Sequence, residues 1–92
     1  MGKLRVVLFS KLGCPFCSLM KLELRNRRVE FEEIDLSDDE VREIFYQASS
    51  TQTVPQLFTT NFESTPNRPT GERWGGWMDM TNRWESLEKV LT

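Results

Sequence analysis

Cys14 and Cys17 are the only cysteines in the chain, and Pro15 and Phe16 separate them. Residues three apart on a helix are neighbours on its surface, so the two sulfurs at this spacing can close a disulfide and open it again. There is no histidine, which excludes Cys-His and Ser-His-Asp nucleophilic systems. A four-ligand zinc site cannot be built from one such chain with the usual nitrogen and sulfur ligands. Cluster or metal binding through these thiols would need a second chain or an external thiol, so no metal is expected. Thiol-disulfide exchange is the chemistry that remains. Its attacking species is the thiolate. A thiolate at Cys14, just ahead of a helix, faces unpaired backbone N–H groups and the positive end of the helix dipole. Lys11, three residues earlier, adds a positive charge. The Cys14 pKa is therefore expected to fall, while Cys17, further into the helix, is more shielded. Cys14 is expected to attack and Cys17 to resolve.

These roles require a strand that ends just before Cys14 and a helix that starts at it. Leu4 to Ser10 is a Val-rich apolar run bounded by Gly13 and reads as a buried strand. Pro15 suits a first helical position, and Phe16, Leu19, Met20 and Leu24 recur at helical spacing up to Asn26 and the Arg27-Arg28 pair. Val29 to Leu36 reads as a second strand. Ser37-Asp38-Asp39-Glu40 has the pattern of a capping box, with Ser37 as N-cap, and predicts a helix from about Asp38 to Gln47. Val54-Pro55-Gln56-Leu57-Phe58 looks like a strand entered through proline. A turn-forming stretch follows, then a short strand at Arg73-Trp74. Trp77, Met80, Trp84, Leu87, Val90 and Leu91 mark one terminal amphipathic helix. The order is β-α-β-α-β-β-α, an α/β arrangement with a four-stranded mixed sheet flanked by three helices; the βαβ unit implies parallel pairing, and the connection after Phe58 an antiparallel hairpin.

Ninety-two residues with 38% hydrophobic and 28% charged content suit a single globular domain spanning 1–92. The early run Val6-Val7-Leu8-Phe9 is too short for a signal-peptide core or a membrane span, and Val6 stands where myristoylation after Met1-Gly2 would need Ser or Thr. An intracellular, cytoplasmic protein without membrane attachment is expected. Up to Arg28 the chain carries seven bases (Lys3, Arg5, Lys11, Lys21, Arg25, Arg27, Arg28) against one acid, Glu23, and the remainder five bases against thirteen acids. Most of these bases are expected to lie on solvated faces, Lys11 excepted. Basic residues interleaved with aromatics, as base stacking requires, are missing, so nucleic-acid binding is not expected.

With these elements placed, the chain closely resembles the glutaredoxins, dithiol members of the thioredoxin-like fold. Three segments match in the family's order: Cys14-Pro15-Phe16-Cys17, close to C-P-Y-C; Thr53-Val54-Pro55-Gln56-Leu57-Phe58, the T-V-P segment; and Gly75-Gly76-Trp77-Met78-Asp79, the G-G-x-x-D segment. The resemblance covers nearly the whole chain apart from the loop after Phe58. It implies a glutathione-dependent thiol-disulfide oxidoreductase that reduces protein disulfides and glutathione mixed disulfides, with glutathione as co-substrate and a potential of about −200 to −230 mV. It also implies a glutathione groove. In the family the proline matching Pro55 is cis and packs beside the cysteines, and the backbone matching Val54 pairs with the peptide of glutathione, with Thr53 and Phe16 alongside. Lys11 and Gln47 would hold the glycine carboxylate. Asp79 would receive the γ-glutamyl ammonium, and the Met78 backbone its α-carboxylate. The implied partners are glutathione and disulfide-bonded or glutathionylated proteins, with ribonucleotide reductase one candidate, and a monomer is the expected form.

The chain also departs from the family. Phe16 replaces the common Tyr. Met78 stands where many members have Ser or Thr, a lost side-chain hydrogen bond of about 1 kcal/mol at most. Sixteen residues separate Phe58 from Gly75, where the family has a tight hairpin. An extended loop at about 59–74 is therefore expected, at the sheet end away from the cysteines and without a catalytic part. Two alternatives stay open. One is a glutaredoxin-like thioredoxin recharged by thioredoxin reductase. The other is an iron-sulfur cluster carrier, in which two chains share a cluster through Cys14 and two glutathiones. The members best known for that role have C-G-F-S, and Pro15 stiffens the loop where Gly would relax it.

Overall fold

Val6, Val7, Leu8, Phe9 and Ser10 are each at most 5% exposed, so strand β1 (Arg5–Ser10) is buried on both faces, as a central strand covered by two layers must be. The computed structural model describes residues 4–92; Lys3 and the Met1-Gly2 pair lie outside the described residues. Successive side chains of β1 enter different cores because a strand alternates its faces. Val6 and Leu8 pack with Met20, Leu24, Leu57, Trp74, Met80 and Leu87. Val7 and Phe9 pack with Leu36, Phe45 and Phe58, where Phe9 stacks on Phe45 at 4.4 Å between ring centroids and meets Phe58 edge-on at 5.4 Å.

Helix α1 (Pro15–Asn26) buries Cys17, Met20 and Leu24 on one face. Strand β2 (Glu32–Asp35) pairs parallel to β1. Helix α2 (Asp39–Ser49) covers the Phe9 face through Val41, Phe45 and Tyr46. Strands β3 (Gln56–Thr60) and β4 (Glu72–Gly75) follow, β3 antiparallel to both β1 and β4. Helices α3 (Trp77–Asn82) and α4 (Trp84–Leu91) join α1 on the other face. The sheet order is β2-β1-β3-β4, the mixed four-stranded sheet of the expected thioredoxin-like fold.

Four local expectations are corrected. The second strand does not begin at Val29: the Val29 N–H donates to the Leu24 carbonyl at 2.9 Å, with Arg28 left-handed at φ 59°, so these residues close α1 instead. The N-cap of α2 is Asp38, whose Oδ1 accepts from the Val41 N–H at 3.0 Å. Ser37 is occupied elsewhere, its Oγ accepting from the Leu12 N–H at 2.9 Å and donating to Asp35. The terminal helix is two helices, broken at Arg83, whose N–H is shared between the carbonyls of Asp79 and Met80. The Arg83 guanidinium stacks over Trp74 at 4.2 Å and bonds the Arg73 carbonyl and Glu72, tying the break to β4. Finally, the loop is 61–71, shorter than 59–74, because Thr59 and Thr60 stay paired with β1 and Glu72 already belongs to β4.

Two bases of the basic segment pair with acids of the edge strand β2. Arg5 pairs with Glu32 at 2.6 Å and Lys21 with Glu33 at 3.0 Å. The Ser10 hydroxyl, together with Lys21, holds the Glu33 carboxyl below its ordinary value. A carboxyl depressed in the folded state stabilises above its unfolded pKa, about 4.3, and that contribution is lost as pH falls through the folded value. Glu33→Gln is therefore expected to destabilise the protein near neutral pH and to differ progressively less from the parent below about pH 4. Urea titrations across pH measure this. A gap that stays constant into acid would mean that the Glu33 charge contributes nothing.

Candidate active site

β1 is buried to its end at Ser10, and its chain must then turn into α1, which places Cys14 at the helix mouth. Cys14 is the N-cap of α1, with extended backbone (φ −103°, ψ 109°), and its carbonyl accepts from the Ser18 N–H at 3.1 Å. Its Sγ accepts from the Cys17 N–H at 3.2 Å. An oxygen side chain does the same job at most helix starts; here a sulfur is held against an otherwise orphaned donor, the site that favours negative charge. Cys14 and Cys17 form a disulfide, with their Cα atoms 5.2 Å apart. Cys14 is 9% exposed and Cys17 1%, so Cys14 is the more accessible of the two.

The entry to β3 faces this sulfur. The Val54-Pro55 peptide bond is cis, and the Val54 carbonyl oxygen lies 3.9 Å from Cys14 Sγ. Thr53 accepts two bonds from the Gln56 side chain, at its carbonyl and at its hydroxyl, each 3.1 Å. The β4–α3 turn closes in from the other side. A Cβ at Gly76 would sit 3.3 Å from the Pro55 carbonyl, so a side chain there would crowd the turn. Asp79 Oδ2 accepts from the Gly76 N–H at 3.2 Å, fixing the start of α3. Cys14, Cys17, Thr53, Val54, Pro55 and Asp79 are thus linked through direct contacts or shared turns.

The other candidates vary. Phe16 is 53% exposed and Met78 70%, apolar surfaces next to the cysteine turn and the β4–α3 turn. Lys11 is partly buried and takes part in no ion pair among the described residues. Its loop is anchored by the Leu12–Ser37 bond. Gln47 is exposed on α2, donates to Glu43 at 3.3 Å, and borders a shallow cavity with Tyr46, Ser50, Thr51 and Gln52. No described contact links it to Cys14. A cavity of about 620 Å³ lies at the opposite pole, lined by residues including Leu4, Val29, Trp84 and Leu91 and bordered by neither cysteine. It has no place in this chemistry. Sequence reasoning missed Gln56 and the Leu12–Ser37 anchor. The signal for Gln56 was present, since it is the one polar residue inside the apolar run Val54 to Phe58.

The long loop leaves the sheet at the far end. Thr60 pairs with Arg5, whereas Gln56 pairs with Phe9, next to the cysteine turn. Among the described residues no cluster of ligating side chains fits a metal ion, and no helix is long and apolar enough to cross a membrane.

The family model that matches is glutaredoxin, over residues 6–62. That span holds both cysteines and Val54-Pro55 and ends before the Gly75 to Asp79 segment. A hybrid peroxiredoxin, hyPrx5 of Haemophilus influenzae, is 40% identical over 53 residues, which are 58% of this chain and 22% of that protein. This chain therefore corresponds to about a fifth of that relative's length. Among solved structures, glutaredoxin 1 of Francisella tularensis superposes with a TM-score of 0.73 at 22% identity, covering 94% of this chain and 98% of the other. Glutaredoxin of Brucella melitensis gives 0.71 at 26% identity, covering 99% and 91%. A buckwheat glutaredoxin-glutathione complex gives 0.70 at 22%, covering 95% and 74%.

Proposed function

This chain belongs to the glutaredoxin family, and from that premise we propose that its thiol-disulfide oxidoreductase activity depends on glutathione. The observation that carries the reading is the half-buried Val54 backbone, its carbonyl 3.9 Å from the Cys14 sulfur, where an extended peptide can pair while its own sulfur reaches Cys14. The buckwheat complex with glutathione is a structural relative consistent with it.

In this reading the Cys14 thiolate attacks the glutathione sulfur of a mixed disulfide. The Cys14–glutathione bond forms, and the substrate leaves as its thiolate, which takes a proton from water. A second glutathione thiolate then attacks the bound glutathione sulfur, giving glutathione disulfide and free Cys14. For a protein disulfide, Cys17 attacks Cys14 in the mixed intermediate, releasing the reduced substrate and leaving the Cys14–Cys17 disulfide, which two glutathiones reduce. Lys11 holds the glycine carboxylate by charge, with Gln47 a weaker second donor. Asp79 and the Met78 backbone hold the γ-glutamyl end. The likeness to a segment of a hybrid peroxiredoxin makes a peroxiredoxin disulfide a further candidate substrate, beside ribonucleotide reductase. In this reading the glutaredoxin domain acts as a monomer in the cytoplasm.

The test is turnover of a small glutathione mixed disulfide, recharged either by glutathione with glutathione reductase or by thioredoxin reductase. Turnover with glutathione is expected. Turnover with thioredoxin reductase alone would keep the dithiol chemistry and remove glutathione as ligand. In the glutathione assay Lys11→Ala is expected to raise KM about three- to tenfold, less at high salt, as for a partly exposed charge-assisted contact. An unchanged KM would leave the glycine carboxylate to other residues.

A further inference from the structure

Gln56 is 3% exposed, and its amide is fully engaged. Nε2 donates to both the carbonyl and the hydroxyl of Thr53 at 3.1 Å, and Oε1 accepts from Arg73 Nη1 on β4 at 3.4 Å. These bonds span the two residues between, Val54 and Pro55. The residue on one side of Val54 is held by Gln56, and the carbonyl of the residue on the other side lies against Gly76. Val54 itself, whose carbonyl faces Cys14, is left with both neighbours held.

We infer that the Gln56 amide is a positioning residue for substrate: it fixes the Thr53 to Pro55 turn so that the Val54 backbone is already aligned for the cysteinyl peptide of glutathione, and Arg73 fixes the amide. The inference rests on the glutathione reading above. The polarity of the network supplies the reason. A carbonyl needs a donor, and Gln56 offers one only if its NH₂ side faces Thr53. Arg73 donates and cannot accept, so it selects the rotamer with Oε1 toward β4 and Nε2 toward Thr53. With the amide reversed, Oε1 would meet the Thr53 carbonyl, acceptor against acceptor, in a buried place. A turn aligned before binding spares the ordering cost that a loose turn would incur when the peptide pairs.

A purely structural role and a positioning role separate on one substitution. Gln56→Glu keeps the shape and strengthens the tie to Arg73, but an ionised carboxylate has no hydrogen to give Thr53. Gln56→Met keeps the length and loses every bond. Arg73→Leu, at an exposed position, removes only the orienting partner. In the mixed-disulfide assay Gln56→Glu and Gln56→Met are both expected to raise KM about five- to tenfold with kcat within about twofold, and Arg73→Leu to raise KM about two- to threefold. Backbone relaxation by NMR should show a lower order parameter at Val54 in each. A folded Gln56→Glu protein with parental KM and an equally rigid Val54 overturns the inference. If Gln56→Met does not fold, the other two variants decide it. If the parent protein shows no glutathione turnover, the functional reading fails, and the relaxation at Val54 still tests whether Gln56 orders the turn.

Discussion

Replacing Cys14 with serine is expected to lower kcat/KM for disulfide reduction by at least about 10³-fold, the scale seen when a covalent nucleophile is removed. Cys17→Ser is expected to keep glutathione-dependent deglutathionylation and to lose reduction of internal protein disulfides. The asymmetry follows from position. Cys14 is the helix N-cap and keeps 9% exposure, and Cys17 is 1% exposed within the first turn of α1. Serine is itself a good N-cap, so the Cys14 variant should keep the Cys17 N–H satisfied and fold normally; its loss would be chemical. Mass spectrometry of each variant after exposure to glutathione disulfide checks this directly. Cys17→Ser should carry one glutathione on Cys14, and Cys14→Ser should carry little. The reverse pattern would exchange the two roles.

What could be read from the sequence was what local chemistry decides. Pro15 after Cys14 gave the start of α1, and the apolar run from Val6 gave the central strand, because both depend on residues within a few positions. The three segments shared with the glutaredoxins lie on β1–α1, at the entry to β3 and at β4–α3, and the fold brings these together at one end of the sheet. The errors came where a distant partner won. Ser37 has the right identity to cap α2, yet it serves the Leu12 N–H across the fold, and Asp38 caps the helix instead. Arg83 has no local reason to break a helix; its stack on Trp74 supplies one. Gln56 was passed over because the bonds that give it meaning run back to Thr53 and across to Arg73.

The second large effect comes from two glycines with positive φ at opposite ends of the hairpin. Gly71 has φ +89°, and a Cβ there would lie 2.0 Å from the Thr59 carbonyl oxygen and 2.8 Å from the Thr60 Cα. Those atoms belong to a central strand and cannot move aside. Strain at such a φ costs about 1–3 kcal/mol before any overlap is counted. Gly71→Ala is therefore expected to destabilise by at least about 3 kcal/mol and to lower Tm by at least about 12 °C for a chain of this size. Because the loop leaves the sheet at the Arg5–Thr60 end, the variant should keep the parental KM at temperatures where it remains folded. Gly75 has φ +91°, but its Cβ would meet the Asp79 side chain, with Oδ2 at 2.5 Å. The carboxylate can rotate away, but the Asp79 Cβ at 2.6 Å moves only with its backbone, so the first turn of the six-residue helix α3 must shift, more readily than a central strand can, and give up the bond from the Gly76 N–H. Gly75→Ala should therefore lose less Tm than Gly71→Ala while raising KM for the glutathione mixed disulfide by about tenfold, since it displaces the carboxylate assigned to the γ-glutamyl end. Thermal melts and KM on the same two proteins separate the effects. If KM rose in Gly71→Ala and stayed level in Gly75→Ala, the long loop would belong to the site, and Asp79 would be only a helix cap.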